Sequence, residues 1–170
     1  MDKTYFKDKV IIITGASSGI GLASARLFGS CGAKVVMAAR HLDKLEAEVP
    51  SVSQNPDNVL CVKTDVSKEE DCKDLIAKTV EKFGRIDILV NNAGISMRAM
   101  FKDLDLSVIK SLMDVNFWGT VYCTKFALPY LLETKGSVVG VISIAGYSAL
   151  PARTGYSSSK YAIRGFLDTV

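Results

Sequence analysis

Tyr156 and Lys160 are spaced four residues apart, in the run Tyr156-Ser-Ser-Ser-Lys160. On a helix, residues i and i+4 lie on one face, so the Lys160 ammonium can approach the Tyr156 phenol. A cation within about 4–6 Å favours the phenolate form and lowers the pKa of a phenol by roughly 1–3 units. A tyrosine in this setting is suited to exchange a proton with a carbonyl or alcohol oxygen near neutral pH.

Other residues could compete for this role. At the i+4 position Tyr147 has Pro151 and Tyr161 has Gly165, so neither has a lysine partner. His41 is the one histidine of the chain, and a lone histidine in a polar segment is not expected to act as a base or a metal ligand. A Tyr-x-x-x-Lys pair is also common on helix surfaces, so its function depends on what accompanies it.

The segment from Thr14 to Gly21 has the sequence TGASSGIG and lies between an apolar run and an amphipathic stretch. Its first glycines permit a tight turn, and Gly21 would let the following helix pack closely on the strand. The N–H groups at the start of that helix, and its positive dipole end, favour a pyrophosphate. The segment therefore predicts a dinucleotide-binding turn. Its predicted binding residues are Gly15, Ser17, Ser18, Gly19, Ile20 and Gly21.

The end of the second apolar run bears on which dinucleotide is bound. A site for NAD normally has Asp or Glu here, which binds the ribose 2′-hydroxyl. Ala39 occupies that position, and Arg40 follows it. A guanidinium binds a 2′-phosphate through forked, charge-assisted hydrogen bonds, whereas a carboxylate would repel it. We therefore predict NADP(H) in preference to NAD(H), with Ser17 and Ser18 able to add hydroxyl contacts.

Alternating apolar runs and amphipathic stretches must position these residues. The pattern predicts strands at residues 9–14, 34–39, 59–63, 86–90 and 136–143. It predicts helices at 19–30, 42–49 with a stop at Pro50, 67–83 with a Ser67/Glu70 capping box, about 105–133, and 154–170. Short apolar strands that alternate with helices indicate an α/β fold, a Rossmann-type doubly wound parallel sheet over residues 1–170. Because the chain ends inside an apolar helix, we expect at least one C-terminal strand to be missing.

Further motifs follow these in order. They are Asp65-Val66, Asn91-Asn92-Ala93-Gly94, Asn116, and Ser143 after the fifth predicted strand. Together with the T-G-x-x-x-G-x-G segment and the Tyr156/Lys160 pair, they closely resemble the classical short-chain dehydrogenase/reductase family. The resemblance runs from about Lys9 to the end of the chain. It implies an oxidoreductase that interconverts a ketone or aldehyde and an alcohol, with the hydride carried by a nicotinamide.

The resemblance implies cofactor contacts beyond the glycine segment. The Asp65 side chain and the Val66 backbone would contact the adenine ring. Asn92, Ala93 and Gly94 would line the cofactor cleft, in a segment that also supports the central sheet.

The resemblance also implies the catalytic residues. Ser143, Tyr156 and Lys160 would form the catalytic core, with Tyr156 and Lys160 also touching the cofactor. Asn116 would hold a water molecule that links the lysine to solvent. Ser143 can donate a hydrogen bond to the substrate carbonyl, and its position after a strand puts it at the carboxyl edge of the sheet.

Composition excludes several partners and locations. With 170 residues, 48% of them hydrophobic, the chain can bury a substantial core. A net charge of +3 without a Lys/Arg run gives no indication of a nucleic-acid partner. The apolar runs are too short to span a membrane, and early charged residues exclude a signal peptide. The four cysteines form no C-x-x-C pair, so we predict reduced thiols in a cytoplasmic protein.

The sequence says less about the substrate. The apolar stretch between Ser143 and Tyr156 resembles that of hydroxysteroid-dehydrogenase-type and related broad carbonyl reductases, which implies a hydroxysteroid-like or other apolar carbonyl substrate. Met97, Met100 and Phe101 would add a flexible apolar wall. A 3-oxoacyl-carrier-protein reductase is the alternative enzyme, and a truncated non-catalytic NADPH-binding or interaction module is the alternative of another class. The long helix and the last helix resemble the family's subunit contacts, which predicts a homodimer or homotetramer for the complete protein.

Overall fold

Five parallel strands form one sheet in the computed structural model, which describes residues 3–170. The strands are β1 (Val10–Thr14), β2 (Lys34–Ala39), β3 (Val59–Lys63), β4 (Ile88–Asn91) and β5 (Ser137–Gly140). The α-helices are α1 (Gly19–Ser30), α2 (Leu42–Val52), α3 (Glu69–Phe83), α4 (Leu106–Leu112), α5 (Gly119–Thr134) and α6 (Thr154–Leu167). The spatial order β3-β2-β1-β4-β5 confirms the predicted doubly wound α/β fold.

Helices cover both faces of the sheet, which explains why its central strands are apolar on both sides. All five residues of β1 are buried. Ile12 packs in a cluster with side chains of α3 and α5, whereas Ile11 and Ile13 pack with side chains of α1 and α2. The chain order reverses between β1 and β4, so the connections leave their carboxyl ends in opposite directions and open a crevice there.

The predicted start of α3 is wrong. The helix begins at Glu69 with Lys68 as its N-cap, and no side chain caps it. Ser67 instead donates its hydroxyl hydrogen to Asp65 Oδ1 at 2.7 Å. The hydroxyl therefore stabilises the loop after β3 rather than the helix. The predicted stop at Gly84 is correct, because this residue adopts the left-handed conformation with φ of 72°.

Other boundaries also differ from the prediction. Helix α2 continues through Pro50 to Val52, because Val52 is buried and packs against Gly29 of α1. Strand β4 is shifted toward Asn91, and β5 ends at Gly140 rather than at residue 143.

The helical regions on either side of β5 are also shorter or less regular than predicted. A π-helical turn, Met113–Trp118, separates α4 from α5 in the predicted long helix. Helix α6 ends at Leu167, not at residue 170. None of the helices in residues 3–170 combines the length and apolar composition needed to cross a bilayer.

Candidate active site

A cleft of about 460 Å³ is lined by residues that directly follow the strands of the sheet. The predicted site residues on its wall are Gly15, Ser17, Ser18, Ile20, Arg40, Asp65, Val66, Asn92, Ala93, Gly94, Tyr156 and Lys160. The predicted residues Gly19, Gly21, Asn116 and Ser143 are not among the lining residues. Lining residues that were not predicted to belong to the site are Ala39, Thr64, Ile95, Ser96, Val115, Val141 and Ile142, together with His41, which had been set aside.

The glycine turn, residues 14–21, is fixed by hydrogen bonds from the loop after β4. Thr14 Oγ1 accepts the backbone N–H groups of Asn92 and Ala93, each at 3.0 Å. In return the Asn92 side-chain amide donates to the carbonyl oxygens of Thr14 at 2.8 Å and Gly15 at 3.2 Å. These bonds join the end of β1 to the loop after β4 at the switch point and stabilise the turn.

Glycine is required in this turn by space as well as by conformation. Gly15 has φ of 66°, and a Cβ there would lie 2.9 Å from Ala93 Cα. A Cβ at Gly21 would overlap the Gly15 carbonyl oxygen and the Asn92 amide. Ser18 is the N-cap of α1 but does not cap it with its side chain. The turn therefore keeps backbone close to the cleft and leaves the start of α1 available to a phosphate, which fits a dinucleotide.

At the other side of this turn, Arg40 follows β2 and Asp65 follows β3. Arg40 is exposed, lines the cleft near Ser17 and Ser18, and is part of no ion pair within residues 3–170. Asp65 Oδ1 accepts hydrogen bonds from the N–H and the hydroxyl of Ser67. We name the region around Arg40, Asp65 and the glycine turn the nucleotide end of the cleft.

Tyr156 and Lys160 lie on α6 and define the Tyr156 end of the cleft. The Lys160 Nζ atom lies 5.8 Å from the centre of the Tyr156 ring, so the i,i+4 spacing does bring the two together. Lys160 is 5% exposed, and its ammonium donates to the Val141 carbonyl oxygen at 2.9 Å. Burial lowers the pKa of Lys160, because the charged form loses contact with water.

Asn116 lies in the π-helical turn between α4 and α5 and is fully buried. Its Oδ1 accepts the N–H of Ile95 at 2.8 Å, and its Nδ2 donates to the Ile95 carbonyl at 3.0 Å and to Ser159 Oγ at 2.9 Å. Ser159 in turn donates to the Tyr156 carbonyl at 2.8 Å. Asn116 therefore joins the loop after β4 to the backbone of α6, next to Gly94 and Lys160.

Ser143 does not end a strand, as had been predicted, but lies three residues beyond β5. It is the N-cap of the short 3₁₀ helix Ile144–Gly146, and its Oγ accepts the Ala145 N–H at 3.2 Å. This bond uses an acceptor of the hydroxyl and leaves its hydrogen available as a donor. Its predecessors Val141 and Ile142 line the cleft.

Two features of the site escaped the sequence analysis. The Asn92 bonds to the glycine turn and the Ser159 bond to Asn116 each join segments far apart in the chain, so no local pattern reveals them. Weak signals existed: Thr14 directly precedes Gly15, and a serine directly precedes Lys160.

The chain is similar to known proteins in both family pattern and sequence. The family model described as short chain dehydrogenase matches residues 9–170. The 11-beta-hydroxysteroid dehydrogenase 1A of Arabidopsis thaliana is 42% identical over 165 residues, which are 95% of this chain and 47% of that protein. The dehydrogenase/reductase SDR family protein 7-like of Dictyostelium discoideum is 40% identical, and the match covers 99% of this chain and 55% of that protein. The chain thus spans about half the length of the curated relatives it matches.

Solved structures agree with the fold. An alcohol dehydrogenase from the archaeon Thermococcus sibiricus, complexed with 5-hydroxy-NADP, has a TM-score of 0.92 and 32% identity, and the match covers 96% of this chain and 70% of that one. A short chain dehydrogenase/reductase from Burkholderia phymatum, in complex with NAD, has a TM-score of 0.90 and 29% identity and covers 96% and 59% of the two chains. Similar folds therefore hold dinucleotides of both kinds.

Proposed function

Because this chain belongs to the short-chain dehydrogenase family, we propose that it is an NADP(H)-dependent oxidoreductase that interconverts a carbonyl compound and its alcohol. The observation that carries the proposal is a shared cleft, in which Tyr156 and Lys160 line one end and Gly15 and Arg40 line the other. A bound nicotinamide would supply the hydride in reduction and accept it in oxidation. The protein's own residues would then transfer one proton to or from the substrate oxygen and stabilise the negative charge that develops on that oxygen.

Tyr156 is proposed as the general acid and base. In reduction its hydroxyl gives a proton to the carbonyl oxygen, and in oxidation its oxygen takes the proton back from the alcohol. Lys160 positions a positive charge beside the ring and is itself held by the Val141 carbonyl. Ser143 is proposed to donate a hydrogen bond to the same substrate oxygen, since its acceptor side is occupied by the Ala145 N–H.

Asn116 is proposed to position the Tyr156 end. Its side chain holds Ile95 of the cleft wall and, through Ser159, the first turn of α6. As the resemblance implied, a water held by Asn116 would link Lys160 to solvent, and we propose that this link replaces the proton that Tyr156 gives up.

NADP(H) is proposed over NAD(H) because Arg40 is exposed on the cleft and has no carboxylate partner in the described part of the chain. A guanidinium without a partner attracts the additional phosphate that distinguishes the two dinucleotides. Ser17 and Ser18 line the same end and can add hydroxyl contacts. Asp65 and Val66 are proposed to contact the adenine ring.

The proposed substrate is a hydroxysteroid-like or other apolar carbonyl compound. Several curated relatives are named hydroxysteroid dehydrogenases. In this chain the loop after β4 exposes the apolar side chains of Met100 and Phe101, which are 58% and 61% exposed. Side chains of this kind could cover an apolar ring system bound at the Tyr156 end.

Calorimetric titration of the chain with NADPH and NADH, beside the variant Arg40→Glu, tests the cofactor proposal. We expect NADPH affinity to fall roughly 10–100-fold, as for the loss of one charge-assisted hydrogen bond, and NADH affinity to stay nearly constant. Lys44→Glu is the matched control, because Lys44 is exposed on α2 and does not line the cleft. Equal losses in Arg40→Glu and Lys44→Glu, or no preference for NADPH, would contradict the proposal.

A cytoplasmic location and a dimer or tetramer complete the proposal. The four cysteines are free thiols, and burial, with a smaller effect of Glu46, raises the pKa of Cys61 to about 11. Unreactive free thiols suit a reducing compartment.

Trp118 and Leu132 expose large apolar side chains at the two ends of α5, which favours a subunit contact there. Light scattering that finds only monomers of the complete protein would exclude the oligomer.

A further inference from the structure

Arg153 is the residue before α6, and it lies at the Tyr156 end of the cleft. Its guanidinium carbon is 5.8 Å from the centre of the Tyr156 ring, the same distance as Lys160 Nζ. Its Nη1 donates to Ser96 Oγ at 2.7 Å, and Ser96 lines the cleft. The proposed acid of the reaction is therefore approached by two cations, one buried and one at the mouth of the cleft.

The position of Arg153 is fixed by the backbone before it. Ala152 adopts a left-handed conformation with φ of 60°, which is unfavourable for a residue with a Cβ. Its carbonyl oxygen accepts the Ala99 N–H at 2.9 Å. This bond and the Arg153–Ser96 bond tie the segment before α6 to the loop after β4. The two bonds thus hold Arg153 beside the loop after β4, with its guanidinium near the Tyr156 ring.

The charge of Arg153 is not matched by an acid in residues 3–170. Arg26, Arg85 and Arg164 each pair with a carboxylate, whereas the Arg153 side chain binds the Ser96 hydroxyl and lies near the Tyr156 ring without an ion pair in residues 3–170. A guanidinium has five N–H donors, and the Ser96 bond uses a single one. Donors therefore remain for a ligand at the mouth of the cleft, and their geometry suits two oxygens of one oxyanion.

We propose that Arg153, oriented by Ser96, is a specificity-determining residue that binds an oxyanion, most simply a carboxylate, on the substrate. This inference rests on the proposed function, and it refines the substrate class. The substrate would be an apolar carbonyl compound or alcohol with an acidic group at a distance comparable to that between Tyr156 and Arg153. The carboxylate would take its place beside the guanidinium while the carbonyl oxygen meets the Tyr156 hydroxyl.

Two pairs of probes test this proposal. They are 4-acetylbenzoate and 3-acetylbenzoate, each compared with its methyl ester, which keeps the ketone and removes the charge. Calorimetry measures the affinity of each probe for the protein saturated with NADPH, and NADPH absorbance measures its reduction. We expect the wild-type protein to bind at least one acid roughly tenfold more tightly than its ester, as for a single charge-assisted bond.

Three variants make the result specific. Arg153→Gln should abolish the preference for the acid, measured as the acid-to-ester ratio of affinity and of kcat/KM within each variant, whereas Arg153→Lys should keep part of the preference. Arg164→Gln is the matched control, because Arg164 also stacks on a tyrosine of this region, at 4.0 Å from the Tyr147 ring, but lines no part of the cleft. Thermal unfolding of each variant shows whether it is folded.

Several outcomes would overturn the inference: no binding of either acid, equal affinity for acid and ester in the wild-type protein, or an equal loss of preference in Arg164→Gln. The proposed function fails separately. If no ketone is reduced while acid binding still depends on Arg153, the oxyanion subsite stands and the oxidoreductase proposal does not. If the esters are reduced and the acids are not preferred, the reverse holds.

Discussion

The glycine turn at the nucleotide end is set by backbone packing and by hydrogen bonds from a distant loop, whereas the two proposed catalytic side chains at the Tyr156 end share one helix. Gly15 has no room for a side chain, and its turn is held by Asn92 from the loop after β4, which is distant in sequence. Tyr156 and Lys160 are brought together by their i,i+4 spacing on α6, and the Val141 carbonyl also holds the Lys160 ammonium. The nucleotide end therefore depends on residues without side chains and on contacts that are distant in the sequence. The Tyr156 end depends mainly on side chains spaced along one helix.

This difference predicts that mutations will separate stability from chemistry. Changes in the glycine turn disturb packing between β1 and β4, so they should lower the free energy of unfolding and nucleotide affinity together. Changes at Tyr156 leave the packing of α6 almost intact, so they should lower turnover alone. The two ends can be compared directly, because each offers substitutions of a few atoms.

Tyr156→Phe should have the largest effect. Removal of the phenolic hydroxyl takes away the proposed acid while the ring remains between Lys160 and Arg153. We expect kcat for ketone reduction to fall roughly 10²–10⁴-fold. NADPH affinity and the free energy of unfolding should change little. A variant that retains more than a tenth of the wild-type kcat would remove Tyr156 from its proposed role. Tyr161→Phe, which alters a tyrosine without a lysine at i+4, is the control.

Gly15→Ala should have the largest effect on folding at the nucleotide end. The new Cβ would meet Ala93 Cα at 2.9 Å in a left-handed backbone conformation. Left-handed strain and overpacking together should cost roughly 2–4 kcal/mol, measured by urea denaturation, with a parallel loss of NADPH affinity. Gly165→Ala is the matched control in α6, where a Cβ meets nothing within 4 Å. It should stabilise the protein by up to about 1 kcal/mol. Equal effects at both positions would refute this account of the turn.

Asn92→Asp tests the link between the two strands with an almost isosteric change. The Asn92 amide donates to the carbonyl oxygens of Thr14 and Gly15, and a carboxylate would face both acceptors with no hydrogen to give. We expect a loss of roughly 1–3 kcal/mol in the free energy of unfolding. Acid should reduce the loss, because a protonated carboxyl can again donate one bond. A loss that is independent of pH would contradict this explanation.

The sequence was informative where contacts are local and uninformative where they are distant. Helical spacing predicted the approach of Lys160 to Tyr156, and the glycine pattern predicted the turn after β1. The start of α3 was missed because Ser67 bonds to Asp65 rather than to the helix, a choice that propensity rules do not decide. Helix α2 passes Pro50 because tertiary packing of Val52 outweighs the lost backbone bond.

The features missed at the site share one physical cause. Asn92, Ser159 and Ser96 each make a hydrogen bond to a segment more than forty residues away. Such contacts exist only after the sheet has brought loops together, and each residue taken alone has the composition of an ordinary polar loop or helix position. The resemblance to a family named some of these positions but not the bonds that hold them.

Lys160→Met should have the smallest effect on stability, and its pH dependence is the informative part. Burial lowers the pKa of Lys160 in the folded protein, so below that pKa the buried cation reduces the free energy of unfolding. As the pH rises from the lowered folded pKa toward the unfolded value near 10.4, this cost disappears, and wild-type stability should increase. The variant has no cation to bury. The free energy of unfolding of the variant relative to that of the wild type should therefore be highest at pH 7 and decline toward pH 10. At pH 7 the two free energies should lie within about 1 kcal/mol of each other.

Urea denaturation of both proteins between pH 7 and pH 10 measures this difference, with Lys44→Met as the exposed control that should show no such decline. The loss of the Nζ bond to the Val141 carbonyl shifts the whole curve of the variant but does not change its slope, so the slope carries the test. A constant difference would mean that Lys160 keeps an ordinary pKa despite its burial. In that case its positive charge would be present beside Tyr156 over most of this pH range, and burial at the Tyr156 end would carry no cost in stability.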